Sequence, residues 1–75
     1  MENIIFGKNS VVEALTAGDR EINKILISKN IHSDNKLNKI KELAKQNGIV
    51  FQFVAKEKFA PYAEFNHQGV IAMVS

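Results

Sequence analysis

Cysteine is absent from the 75 residues. That excludes disulfide staples, thiolate zinc sites and a cysteine nucleophile, and it fits a cytoplasmic protein. No apolar run approaches the roughly 20 residues needed to cross a bilayer, so no membrane partner is expected. The start, Met1-Glu2-Asn3-Ile4-Ile5-Phe6, lacks the pattern of a signal peptide. Histidine occurs only twice, as His32 and His67, with no H-x-x-x-H spacing, so no metal site is expected. Ser10, Ser28 and Ser33 fall at helix starts and a strand end, where capping accounts for them. Asp19 and Asp34 have no carboxylate partner at a motif spacing. The glycine-lysine pair near the start lacks the full phosphate-loop pattern of a nucleotide-binding protein. No catalytic residue is expected in this chain.

What is present is ordinary for a folded domain: 45% apolar and 24% charged residues. The length suits one domain over residues 1–75, with a thin core. Neither repeat nor linker is visible. Ile4-Ile5-Phe6 reads as a strand ended by Gly7. Ser10-x-x-Glu13 is a capping-box pattern, with Val11, Val12, Ala14 and Leu15 as the buried stripe of a helix closed at Gly18. Ile25-Leu26-Ile27 is a continuous apolar run that suits a strand covered on both faces. Ser33 or Asp34 can cap a second helix, with Leu37, Ile40, Leu43 and Ala44 at helical spacing and Asn47-Gly48 as its stop. Ile49 to Val54 is a third strand. Lys56 to Tyr62 is a short helix limited by Pro61, the only proline, with Phe59 and Tyr62 turned inward. Val70 to Val74 is a last strand. The alternation predicts an α/β fold with a mainly parallel sheet and helices on both faces.

The net charge is +2, unevenly spread: residues 1–19 carry −2, residues 20–45 carry +4, and the remainder balances. A basic middle can face an anionic partner, or it can be a solvated lysine-rich helix face formed by Lys36, Lys39, Lys41 and Lys45.

Two polar loops lie at the borders of apolar elements. In Gly7-Lys8-Asn9-Ser10, a helix N-terminus offers free N–H groups and a positive dipole end, Lys8 adds a cation and Asn9 a donor and acceptor. In His67-Gln68-Gly69, a donor–acceptor pair sits beside a glycine. The bland alternatives are a simple helix cap for the first and a turn tied to its own backbone for the second.

Ile5-Phe6-Gly7-x-Asn9-x-Val11-Val12-Glu13-Ala14-Leu15 at the start and His67-Gln68-Gly69-Val70-Ile71-Ala72 at the end resemble the N-terminal substrate-binding domain of SpoU-type (TrmH-like) RNA 2′-O-ribose methyltransferases. The resemblance covers nearly the whole chain. It implies a three-layer α/β/α sandwich similar to ribosomal kink-turn-binding proteins. It also implies a homodimeric parent enzyme whose own C-terminal knotted domain binds S-adenosylmethionine, with no cofactor held by this chain. The ending directly after a strand at Ser75 reads as a domain cut from such a protein. By the same resemblance RNA, ribosomal RNA foremost, lies against Gly7, Lys8, Asn9 and Ser10, the loop Lys29-Asn30-Ile31-His32, and the loop of His67 and Gln68. Lys8 is expected to contact phosphate, while Asn9 and Gln68 donate and accept hydrogen bonds. Glu13 stands where kink-turn binders carry a basic residue, which disfavours kink-turn recognition in particular. The competing readings are a stand-alone ribosomal-type RNA-binding protein, and a dimerisation or positioning domain with an apolar patch around Phe59, Tyr62 and Phe65.

Overall fold

A computed structural model describes residues 3–18 and 20–75. Met1, Glu2 and Asp19, two of them carboxylates in the acidic start, lie outside the described residues. The elements are β1 (Asn3–Phe6), α1 (Lys8–Ala17), β2 (Ile22–Ser28), α2 (Asn35–Gln46), β3 (Phe51–Val54), a 3₁₀ segment (Lys56–Tyr62) and β4 (Val70–Val74). The sheet order is β1-β4-β2-β3.

The α/β class is as expected, but the sheet is not mainly parallel. Among the described residues only β2 and β3 pair parallel, while β4 runs antiparallel to both β1 and β2. The reason lies in the connections. A full helix carries the chain back after β1 and β2, so β1, β2 and β3 all point one way. The link from β3 to β4 holds only a 3₁₀ segment and a turn, and the chain reverses. β4 then slots between β1 and β2. An apolar run such as Val70-Ile71-Ala72 reports burial on both faces, and central strands of either direction satisfy that.

Side chains alternate across the sheet. Val70, Ala72 and Val74 of β4 and Ile25 and Ile27 of β2 share one core cluster with Val11, Ala14 and Leu15 of α1 and Leu37, Ile40 and Ala44 of α2. Both α-helices therefore cover the same face, and they pack against each other. Full burial of Ile25, Ile27 and Ile40, each 0% exposed, contributes roughly 1.5–3 kcal/mol per side chain. The opposite face carries Phe6 and Ile71, which are register partners. Here the 3₁₀ segment brings Phe59, 3% exposed, and Tyr62, whose ring lies 5.7 Å from that of Phe6. Phe65 stacks on the same Phe6 ring at 4.4 Å. Helical structure on both faces thus takes an unequal form, two α-helices against one 3₁₀ turn.

Local sequence explains the helix ends. Asp34 caps α2 by accepting from the Leu37 N–H at 2.9 Å, and Gly18 closes α1 in the left-handed conformation. The Ser10–Glu13 capping box does not form. The N-cap of α1 is Gly7, so Ser10 lies inside the first turn and both Ser10 and Glu13 are exposed.

Removing one methylene from the core should be felt while the sheet edge should be indifferent. Ile40→Val is expected to cost about 0.5–1.5 kcal/mol in urea unfolding. Val50→Ala, at a position 60% exposed, should stay within about 0.5 kcal/mol of the parent.

Candidate nucleic-acid interface

One end of the sheet gathers three loops. The Gly7 N–H donates to the Val70 carbonyl at 3.0 Å, and the Ser28 N–H donates to the Gly69 carbonyl at 2.8 Å. These two bonds seat the 67–69 loop between the end of β1 and the end of β2. Ile31 packs against Gly69 so closely that a Cβ there would sit 3.3 Å from its side chain. The loop of Lys29, Asn30 and His32 is thereby held at the same edge. All nine sequence-derived candidates lie at this edge: Gly7 at the end of β1, Lys8, Asn9 and Ser10 in the first turn of α1, and Lys29, Asn30, His32, His67 and Gln68 in the other two loops.

Backbone conformation fixes the junction. Gly7 has φ +92°, and a Cβ there would meet the Asn66 carbonyl and the Gln68 Oε1, each at 3.2 Å. Gln68 itself adopts φ +53°, the one non-glycine residue at positive φ among those described. Such a conformation costs about 1–2 kcal/mol in an L-residue. It is held because Gln68 Oε1 accepts from the Lys8 N–H at 2.9 Å. Gln68 thus caps α1 from sixty residues away, the service Ser10 was expected to give. The Asn9 and Ser10 N–H groups have no protein acceptor among the described residues. Both residues are exposed and stand in the first turn, at the positive end of the helix.

Lys8 plays a different part from the one its position implied. Its ammonium donates to Asp34 Oδ2 at 2.7 Å and to the His32 carbonyl at 3.4 Å. The side chain is 12% exposed, so Lys8 ties α1 to the cap of α2 instead of standing free for phosphate. Hydrogen bonds from Lys8 and from the Leu37 N–H hold the Asp34 carboxyl below its ordinary value. Among the nine candidates, Lys29 remains exposed with its charge outward.

His67 divides its two nitrogens. Nδ1 accepts from the Gly69 N–H at 2.9 Å, which places the proton of the neutral ring on Nε2. The ring lies 4.9 Å from that of Phe59. Its role is therefore partly the self-contained turn weighed from sequence. Phe59 is buried and Tyr62 half-buried, so the apolar patch expected around Phe59, Tyr62 and Phe65 is mostly consumed by internal packing. The sequence reading missed the exposed pair Val50 and Phe53 on and beside the edge strand β3, where Lys41 Nζ sits 5.8 Å from the Phe53 ring centre. An apolar strand followed by a lysine helix was the available signal.

Two outcomes follow. Gln68→Ala should cost about 1 kcal/mol by leaving the Lys8 N–H without its acceptor. Gln68→Gly should cost less, since glycine relieves the positive φ; thermal unfolding separates them. Asp34 has a lowered folded pKa, so its stabilisation is present above the unfolded value of about 3.9 and is lost as pH falls through the lower folded value. Asp34→Asn should therefore be less stable than the parent at pH 7, and the gap should shrink as urea midpoints are followed down below pH 3.

Comparison with known proteins gives the family. Residues 4–75 match the family model described as RNA 2′-O ribose methyltransferase substrate binding. A protein of Bacillus subtilis named as a TrmH-family tRNA/rRNA methyltransferase is 35% identical over 71 residues, covering 95% of this chain and 28% of its own length. One of the same name from Staphylococcus aureus is 38% identical over 74 residues, with 99% and 29% covered. This chain thus spans under a third of the length of these relatives. The crystal structure of the archaeal translation termination factor aRF1 contains a similar fold, with a TM-score of 0.62 at 24% identity, covering 95% of this chain and 19% of that one. With the family model spanning nearly every residue, the chain belongs to the substrate-binding domains of SpoU/TrmH-type RNA 2′-O-ribose methyltransferases.

Proposed function

We propose that the three-loop edge is the surface on which RNA, ribosomal RNA foremost, docks for methylation by a catalytic domain joined C-terminally to this one. The observation that carries the proposal is the convergence of residues 7–10, 29–32 and 67–69 at one end of the sheet, with the Asn9 and Ser10 N–H groups lacking an acceptor among the described residues. Phosphate oxygens would accept from those two amides at the positive end of α1. Asn9 and the free amide nitrogen of Gln68 would reach 2′-hydroxyls and base edges, and Lys29 would supply the charge. Lys8 supports this surface from below through Asp34. Polar loops of this kind suit RNA, which is read by shape, 2′-hydroxyls and unpaired bases.

The sheet separates docking from attachment. Val74 pairs with Asn3 and Ile22 at the end of the sheet opposite the loops. A polypeptide continuing from Ser75 sets out from that far end, on the order of 15 Å away for a five-residue strand. In this reading the parent enzyme is a cytoplasmic homodimer, its C-terminal domain binds S-adenosylmethionine as methyl donor, and this domain holds substrate without catalysing. The relatives' names support the methyltransferase part. Val50 and Phe53 along the β3 edge supply apolar surface for contacts between domains or protomers.

Titration of isotope-labelled domain with ribosomal RNA hairpins should shift the amides of Asn9, Ser10, Lys29, Asn30, His32 and Gln68. Asn9→Ala with Lys29→Ala should weaken binding by about tenfold, and the loss of one phosphate contact should flatten the logarithmic salt dependence by about 0.7–0.9. Shifts confined to Lys36, Lys39, Lys41 and Lys45, with the three loops silent, would reject the edge as the docking surface.

A further inference from the structure

A cavity of about 330 Å³ opens where the 3₁₀ segment, the 67–69 loop and the end of β2 meet. Phe59, Ala60 and Ala63 form its apolar wall, His67 and Ser28 line it from the loop and the end of β2, and Lys56 and Glu57 belong to its charged part. The size matches the lower range of small-ligand clefts, mostly apolar with a few placed polar groups. We propose that this cavity receives one unstacked nucleobase of the bound RNA. The proposal rests on the RNA-docking reading of the adjoining edge.

Three features favour a base over other occupants. The first is shape and surface: the His67 and Phe59 rings lie 4.9 Å apart at 31°, and His67 offers a flat π-surface of the kind on which bases stack. The second is the polar set. Because His67 Nδ1 accepts from the Gly69 N–H, Nε2 is left as a donor. Ser28 Oγ accepts from the Asn30 N–H at 3.2 Å, so its hydroxyl proton is free to be donated. Glu57 brings an acceptor for an exocyclic amine. A planar ring with apolar faces and hydrogen-bonding edges uses all of these, whereas an aliphatic side chain leaves the donors unmatched and a bare phosphate has no use for the apolar wall. The third is continuity. His67 and Gly69 line the cavity and belong to the loop whose Gln68 caps α1, and Ser28 is bonded to Gly69. RNA lying on the three-loop edge therefore passes the cavity, where Lys56 can meet the phosphate of the inserted nucleotide.

The probes are hexaadenylate, hexauridylate, an abasic ribose-phosphate hexamer of equal charge, and 5′-AMP alone. Base-bearing hexamers should bind about 5- to 150-fold tighter than the abasic one, the range for stacking a single base. Millimolar 5′-AMP should shift the amides of Phe59, Ala63 and His67. Ala63→Trp should fill the cavity and erase both effects while leaving the abasic affinity unchanged. Lys56→Ala, at an exposed position that spares the fold, should weaken the base-bearing hexamers more than the abasic one. Equal affinities for all hexamers, with Asn9 and Ser10 shifting as before, would overturn the base site and leave the docking edge standing. Shifts from 5′-AMP without binding of any hexamer would support the cavity and overturn the docking reading. Silence in both would overturn the two together.

Discussion

The insertion of β4 between β1 and β2 is the constraint on which the rest of the molecule depends. This strand puts fully buried side chains on both faces of the sheet, with Val70, Ala72 and Val74 toward the helices and Ile71 toward the 3₁₀ segment. Because β4 enters from the loop end, its first turn is forced against the ends of two strands at once. Gly7 and Ser28 then supply the bonds that close the gap. The polar edge is thus a by-product of how the core is filled.

The edge is rigid for reasons that can be named. A long-range cap from Gln68 holds α1, a positive-φ glutamine is kept in place by that same bond, and Lys8 joins α1 to the cap of α2. Each of these links crosses between elements distant in sequence. Loops are ordinarily the mobile part of a fold. Here they are tied side by side, so little ordering remains to be done when a partner binds. The price of that rigidity is the charge of Lys8, which is spent on Asp34.

How much of this was legible in the sequence differs by element. The second helix was readable to its ends, because an aspartate cap and apolar residues at helical spacing are local signals. Residues 7–10 and 67–69 were readable as polar junctions, because polar residues beside glycine at the borders of apolar runs mark strand ends, whereas the 29–32 loop entered only through the family resemblance. The direction of β4 was not, since an apolar run reports burial and says nothing of polarity; only the weak 3₁₀ connection, betrayed by Pro61, hinted that the crossover would fail. The capping box was misread because Ser10-x-x-Glu13 is a local pattern, whereas the winning acceptor, Gln68, arrives through tertiary structure. Lys8 was misread for the same reason: its partner lies 26 residues away. The cavity needs the 3₁₀ segment, the 67–69 loop and the end of β2 to meet, and no local pattern encodes that meeting.

With Lys8 neutralised, the character of the candidate interface changes. The positive charge of the sequence is concentrated in residues 20–45, and much of it rides on α2 as Lys36, Lys39, Lys41 and Lys45. What faces outward at the edge is two helix amides, several amide side chains and one lysine. Long-range attraction from such a surface is slight, and each phosphate contact is screened by salt. Affinity must then come from fit: hydrogen bonds to riboses and base edges, and burial of whatever base leaves its stack. On the proposed docking reading, such a domain would select RNA by shape and add little to binding of generic polyanion. That is a useful property for a module that positions substrate, because a strongly basic edge would hold any RNA and release none.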